Sequence, residues 1–159
     1  MADSVTIRCV AAVDDIDPAL VAALGGDPAT LLERIDLRID TEHVEAPCIL
    51  ILIAESGSAQ AGILVSVRVP KLDRRRGFLF VDELYVLPAF RHRGIARALL
   101  NGLVNRAKRE GLAGVRLLAR PGNSQARNLY LSAGFIETEA LFYQRLIGDE
   151  QDLHYNCGL

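Results

Sequence analysis

A chain of 159 residues is long enough to bury a core of its own, and half of its residues are hydrophobic while 24% are charged, as in ordinary soluble domains. The formal net charge of −2 argues against bulk nucleic-acid binding, which needs an excess of basic residues. Any anion site must therefore be local.

The cysteines and the first residues of the chain indicate the cellular compartment in which the protein is expected. Cys9, Cys48 and Cys157 are odd in number, widely spaced and without a C-x-x-C pair, which predicts reduced thiols in a cytoplasmic protein rather than a disulfide framework or a zinc site. The first residues lack the basic and apolar regions of a signal peptide, and the longest apolar run, 48–54, is too short to span a membrane. No repeat or linker divides the sequence, so residues 1–159 are predicted to form a single domain.

The first elements are a strand and two helices. Residues 5–10 alternate as a strand does. Acidic residues in 14–17, followed by Pro18, suit a helix start, and a short helix is predicted over 19–24. A second helix is predicted over 27–39, with Asp27 as its N-cap.

A hairpin and the central strand come next. Apolar runs at 49–55 and 61–69 flank the turn 56–60 and predict two paired strands. The basic stretch 71–76 is interpreted as a solvated loop. Residues 78–86 are apolar, aromatic and β-branched, which predicts a strand.

The last part of the chain predicts a crossover and a final hairpin. A helix over about 95–109 and a strand over 115–119 follow the central strand, which implies a right-handed parallel connection. Asn123 is predicted to cap a helix closed by Gly134. Residues 135–138 and 141–146 are predicted to pair as a hairpin.

The loop between the central strand and the long helix has the residue types of an anion site. It carries Arg91, Arg93 and Gly94 where the helix begins, and a helix start offers unpaired N–H groups and a favourable dipole to a phosphate. Gly94 lets a ligand approach the backbone. The competing interpretation is a plain corner whose arginines are solvated.

Two sequence blocks resemble one family. Residues 91–96 (RHRGIA) are similar to the Q/R-x-x-G-x-G/A signature of the GNAT superfamily of acyl-CoA-dependent N-acyltransferases, and the likeness extends to 84–86 and Pro88 before it and to 97–100 after it. Residues 123–135 (NSQARNLYLSAGF) resemble its N-x-x-A-x-x-L-Y-x-x-x-G-F stretch. The resemblance implies a mixed α/β fold, with a central mixed sheet of about six or seven strands and helices on both faces.

The resemblance also implies a binding site for acetyl-CoA as co-substrate. Backbone N–H groups of the loop would hold the pyrophosphate, helped by the amides or guanidiniums of its arginines, and the end of the central strand would pair with the pantetheine arm. The cofactor-binding residues expected on this basis are Leu84, Val86, Arg91, Arg93, Gly94, Ile95, Ala96, Arg97 and Asn123. Asn123 has a second interpretation as a plain N-cap, and the two roles are compatible.

Tyr130 resembles the general acid of the family, which protonates the departing thiolate of CoA. A phenol is neutral at pH 7 and can supply that proton. The alternative is a core tyrosine packed with Leu129 and Phe135.

Asp82 and Glu83 are candidates for the general base. Strict alternation places Asp82 with Phe80 and Leu84, and Glu83 on the other face, unless a bulge shifts the register. An acid among apolar neighbours holds its proton more tightly, as a base poised near neutrality requires. The alternative is a solvated acid that binds a cationic substrate or nothing.

Together with these residues, the resemblance implies an N-acetyltransferase that moves an acetyl group from acetyl-CoA to a primary amine by direct attack in a ternary complex. No Cys or Ser lies beside a His in either block to act as a covalent nucleophile, and His92 is expected to face solvent. A non-catalytic acyl-CoA-binding sensor is the alternative. The acceptor, a small amine or a protein amino group, is left open; no metal, nucleic acid or membrane partner is expected, and a homodimer is a further expectation.

Overall fold

Five strands of the described residues form one sheet. The computed structural model describes residues 4–10, 15–24, 49–71 and 76–143. In sheet order the strands are β1 (Val5–Cys9), β2 (Ile49–Ser56), β3 (Ala59–Val69), β4 (Phe78–Val86) and β5 (Gly114–Arg116). The first four pair antiparallel, and β4 pairs parallel with β5. The predicted mixed sheet is confirmed.

Three α-helices and one short 3-10 turn accompany this sheet within the described ranges. They are α1 (Pro18–Ala23), the 3-10 turn Pro88–Phe90, α2 (Ile95–Arg109) and α3 (Ser124–Ser132). Asp17 caps α1, with its carboxylate accepting from the Ala19 N–H at 2.8 Å, and Pro18 is the first helical residue. None of these helices is long and apolar enough to cross a membrane.

The sheet separates two hydrophobic clusters. Alternation along β2 places Leu50 and Leu52 in one cluster with α2, and Ile51 and Ile53 in the other with α1. Leu99, Leu100 and Leu103 of α2 are fully buried on the first face. Helices therefore cover both faces, as expected, and α2 is held firmly at the end of β4.

The strand predictions near the C-terminal side are partly wrong. The sheet has five strands in the described part rather than six or seven, and β5 covers 114–116 instead of 115–119. β5 pairs with Phe78–Phe80, the residues of β4 that precede the register shift between β3 and β4.

The final hairpin is not formed within the described residues. Residues 135–143 contain no strand, and 144–146 lie outside the described ranges, as do the predicted helix 27–39 and most of the loop 71–76. High β-propensity does not make a strand without a ladder partner. In the segment after α3, the exposed Glu137 carboxylate accepts from Arg127 Nε at 3.0 Å and Nη2 at 2.8 Å.

Candidate active site

A bulge in β4 decides which acid faces which side of the sheet. Val65 of β3 pairs with Glu83 and the next residue, Ser66, pairs with Val81, so Asp82 is the extra residue. Val81 and Leu84 therefore both lie in the cluster with α2. The strict alternation that paired Glu83 with Val81, and Asp82 with Leu84, is wrong because of this inserted residue.

Glu83 is the acid turned toward the α1 side. It shares that side with Tyr85, two residues on, and with its cross-strand partner Val65, and both pack against the α1 cluster. Glu83 is partly buried, whereas Asp82 is exposed. Burial raises the pKa of Glu83, and the neighbouring Asp82 carboxylate raises it further.

Beyond the bulge, β4 has a free edge on the side of β5 within the described residues. β5 pairs only with Phe78–Phe80. The Leu87 N–H donates to the Ala61 carbonyl of β3 at 2.9 Å. Because backbone groups of successive strand residues point to opposite edges, those of Val86 and Leu84 point toward the open edge. An extended ligand could pair there with the Leu84 backbone and the Val86 N–H, two of the positions predicted to contact pantetheine, while the Val86 carbonyl already accepts from Arg91.

The loop after β4 has the backbone shape of an anion nest. His92 and Gly94 adopt left-handed conformations, with φ of 60° and 78°. Such alternation turns successive N–H groups toward one concavity. The first intrahelical donor is the Ala98 N–H, bonded to the Gly94 carbonyl at 3.0 Å, so the N–H groups of 92–97 have no backbone acceptor in the described part of the chain. His92 is exposed, as expected.

The side chains of the loop arginines differ in direction. Arg91 turns back to β4, where its Nε donates to the Val86 carbonyl at 3.1 Å. Arg93 is exposed, with its Cζ 5.4 Å from the centre of the Phe90 ring. Arg97 donates from Nη2 to the Ser132 hydroxyl at 2.7 Å and so ties α2 to α3. Arg93 is therefore the guanidinium best placed to help a phosphate in the loop.

Gly94→Val is expected to abolish acetyl-CoA binding while the fold survives. A Cβ at Gly94 would meet nothing within 4 Å, so the space is open to a ligand and the protein itself would not clash. The left-handed backbone adds a strain of about 1–2 kcal/mol. The measurement is calorimetric acetyl-CoA affinity alongside thermal unfolding.

Gly111→Val is the matched control for that change. Gly111, past the other end of α2, has φ of 65° and equally open surroundings. It should lose similar stability yet keep its acetyl-CoA affinity. Unchanged affinity in Gly94→Val would remove the loop from the phosphate site.

The second sequence block forms α3 and packs beside α2. The Asn123 side chain accepts from the Ala126 N–H at 3.0 Å, which places it as the N-cap of α3. Tyr130 is partly buried against the cluster that includes α2, and its ring centre lies 6.2 Å from that of Phe135. Gly134 closes the helix in a left-handed conformation, as predicted. Within the described ranges, no group of His, Cys, Asp and Glu side chains could hold a metal ion.

The structure thus gathers most of the candidate residues around the end of β4. Sequence reasoning missed three contacts there: Tyr85 under Arg91, Phe90 under Arg93, and Ser132 bonded to Arg97. The aromatic residues on either side of the loop were the available signal, since arginine stacks on such rings. Nothing in the spacing distinguished Ser132.

Comparison with known proteins identifies a family. The model of the acetyltransferase (GNAT) family matches residues 18–135. Aminoglycoside N(6')-acetyltransferase type 1 of Salmonella typhimurium is 28% identical over 67 residues, which cover 42% of this chain and 46% of that protein. The chain thus spans about half the length of the curated relatives it matches.

Solved structures share the fold over nearly the whole chain. An aminoglycoside acetyltransferase from an uncultured soil metagenomic sample has a TM-score of 0.72 at 22% identity, covering 91% of this chain and 99% of its own. Aminoglycoside N-acetyltransferase AAC(6')-Iy in complex with CoA has a TM-score of 0.73 at 20% identity, covering 92% and 97%. A ribosomal-protein-alanine N-acetyltransferase from Brucella melitensis biovar Abortus 2308 has 0.71 at 20%, covering 90% and 100%. At these identities the likeness is one of fold.

Proposed function

The chain belongs to the GNAT acetyltransferase family, and from this premise we propose that it transfers the acetyl group of acetyl-CoA to a primary amine of a small polycationic acceptor of the aminoglycoside class. The observation that carries the proposal is the open edge of β4, which leads into a loop whose N–H groups have no backbone acceptor among the residues that the structure describes. An extended ligand that ends in a pyrophosphate would fit this arrangement, in which a strand edge leads into an anion nest.

The acceptor class follows from the acids and from the relatives. Asp82 is exposed and Glu83 is partly buried beside it, so two adjacent carboxyl groups precede the open edge. Carboxylates attract a polyamine acceptor. The partial relative from Salmonella typhimurium and two of the structural neighbours described above act on aminoglycosides by name.

The proposed reaction is direct transfer in a ternary complex. The neutral amine attacks the thioester carbonyl carbon, the new C–N bond forms and the C–S bond breaks. Glu83 accepts the proton that the amine nitrogen loses, directly or through water. Tyr130 donates a proton to the departing thiolate, so the products are an amide and free CoA.

A panel of amines with acetyl-CoA tests this function. Free thiol released by the chain is measured with aminoglycosides bearing a 6'-amine, the same compounds with a 6'-hydroxyl, linear polyamines, and peptides with a free N-terminus. We expect release with 6'-amine aminoglycosides, and a product heavier by one acetyl group. Release only with peptides would replace the acceptor class, and acetyl-CoA binding without release for any amine would favour the non-catalytic sensor.

A further inference from the structure

The Arg91 side chain is occupied on the protein rather than in the anion nest. Its Nε donates to the Val86 carbonyl at 3.1 Å, and its Cζ lies 5.6 Å from the centre of the Tyr85 ring. Its own N–H donates to the Pro88 carbonyl at 3.3 Å. Every one of these partners lies at the end of β4 or in the turn that follows it.

Arg93 shows the contrast within the same loop. It lies two residues further on, is exposed, and contacts Phe90 rather than β4. The two arginines therefore carry the same charge in one loop but have different partners. Of these two arginines, it is Arg91 whose side chain bonds to the strand in the described part of the chain.

The partners of Arg91 connect the two halves of the proposed site. Val86 points its backbone toward the open edge of β4, and Tyr85 shares the α1 side of the sheet with Glu83. The anion nest begins at His92, the residue directly after Arg91. A single guanidinium thus bridges the loop that would hold acetyl-CoA and the face that would receive the amine.

We propose that Arg91 is a positioning residue, whose guanidinium sets the phosphate loop against the Tyr85–Glu83 face so that thioester and amine meet in register. This inference rests on the proposed function. Planarity matters because a guanidinium can stack on a ring with its face while it donates in its plane. A lysine ammonium keeps the charge but offers no plane to combine the two contacts.

Arg91→Lys and Arg91→Gln, with Arg109→Gln as control, test the proposal. Arg109 is an exposed arginine at the far end of α2, so its loss changes the net charge without touching the loop. We expect both Arg91 variants to lower kcat/KM for the amine by roughly 10²-fold, since a small misplacement of reactants is this costly. Acetyl-CoA affinity should change little, and Arg109→Gln should match the wild type in both measurements.

A phosphate role for Arg91 predicts the opposite pattern. Loss of a charge-assisted bond would weaken acetyl-CoA by roughly 10–10²-fold in Arg91→Gln. Arg91→Lys would largely restore it, because an ammonium also binds phosphate. That pattern, or wild-type amine kinetics in both Arg91 variants, would overturn the proposal.

The Nε–H resonance of Arg91 gives a readout that does not depend on turnover. The bond to the Val86 carbonyl should protect this proton from exchange, and acetyl-CoA should leave the protection in place. The placement would be contradicted if the Nε–H proton exchanged freely with solvent. It would also be contradicted if inorganic pyrophosphate changed the chemical shift of this proton, as direct phosphate binding would. If the wild type acetylated no amine, the proposed function would fail, while this spectrum would still decide the placement of Arg91.

Discussion

Glu83→Gln is expected to lower the turnover of the amine by roughly 10²–10⁴-fold, the range by which a positioned base contributes. The amide is nearly the same size as the carboxyl group, so packing on the α1 side should be kept. What is lost is the group that takes the proton of the amine. Steady-state turnover with the best acceptor, at saturating acetyl-CoA, measures this loss.

The prediction for Glu83 also fixes the direction in which the rate changes with pH. Burial, and then the Asp82 carboxylate, raise the pKa of Glu83 above its ordinary value. As pH rises through that raised pKa, Glu83 loses its proton and becomes able to accept one, so the rate of the wild type should increase. Glu83→Gln should flatten this acid limb.

Asp82→Asn is the neighbouring control. It removes the charge that helps to raise the pKa of Glu83, so the acid limb should remain but move to lower pH. The two variants should therefore differ, because Asp82 is exposed in the bulge whereas Glu83 is partly buried. An unchanged profile in Glu83→Gln would mean that water or bulk solvent deprotonates the amine.

The part of the fold that could be predicted is the part governed by local chemistry. Helix ends are predictable from a few neighbouring residues, because caps act within one turn. This applies to the start of α1, at Asp17 and Pro18, and to the two ends of α3, at Asn123 and Gly134. The apolar run 49–55 likewise predicts a strand. These features need no knowledge of distant partners.

The bulge at Asp82 could not be read in this way. Nine residues of unbroken strand-like sequence contain it, and it exists only in the pairing of Val65 and Ser66 with Glu83 and Val81. Register is a property of two strands, so one strand's alternation assigned the acids to the wrong neighbours. Residues 135–143, the described part of the predicted hairpin, contain no strand for the same reason, since strand propensity cannot supply a partner.

In the phosphate loop, too, some features follow from the residue type and others depend on partners in other elements. Gly94 in a left-handed conformation at a helix start follows from its residue type. His92 does not, since a side chain disfavours that conformation by about 1–2 kcal/mol. The direction of Arg91 also depends on a carbonyl and a ring that belong to another element. The conformation of Gly94 was therefore predictable from its residue type, but the partners of the Arg91 side chain were not.

Tyr130→Phe is expected to lower turnover by roughly 10²–10⁴-fold while acetyl-CoA affinity barely changes. The substitution keeps the ring, and with it the packing on the α2 cluster and beside Phe135. Only the hydroxyl is removed. If that hydroxyl protonates the departing thiolate, the loss falls on the chemical step and not on binding.

Tyr143→Phe is the matched control, because it removes a hydroxyl from a tyrosine that is 83% exposed. It should leave turnover, cofactor affinity and thermal unfolding unchanged. If Tyr130 only fills the core, Tyr130→Phe should keep near-normal turnover and lose about 1 kcal/mol of stability with any buried hydrogen bond. Turnover, affinity and melting measured together on the three proteins separate these cases. Near-normal turnover in Tyr130→Phe would make the tyrosine structural, and solvent would then have to protonate the thiolate.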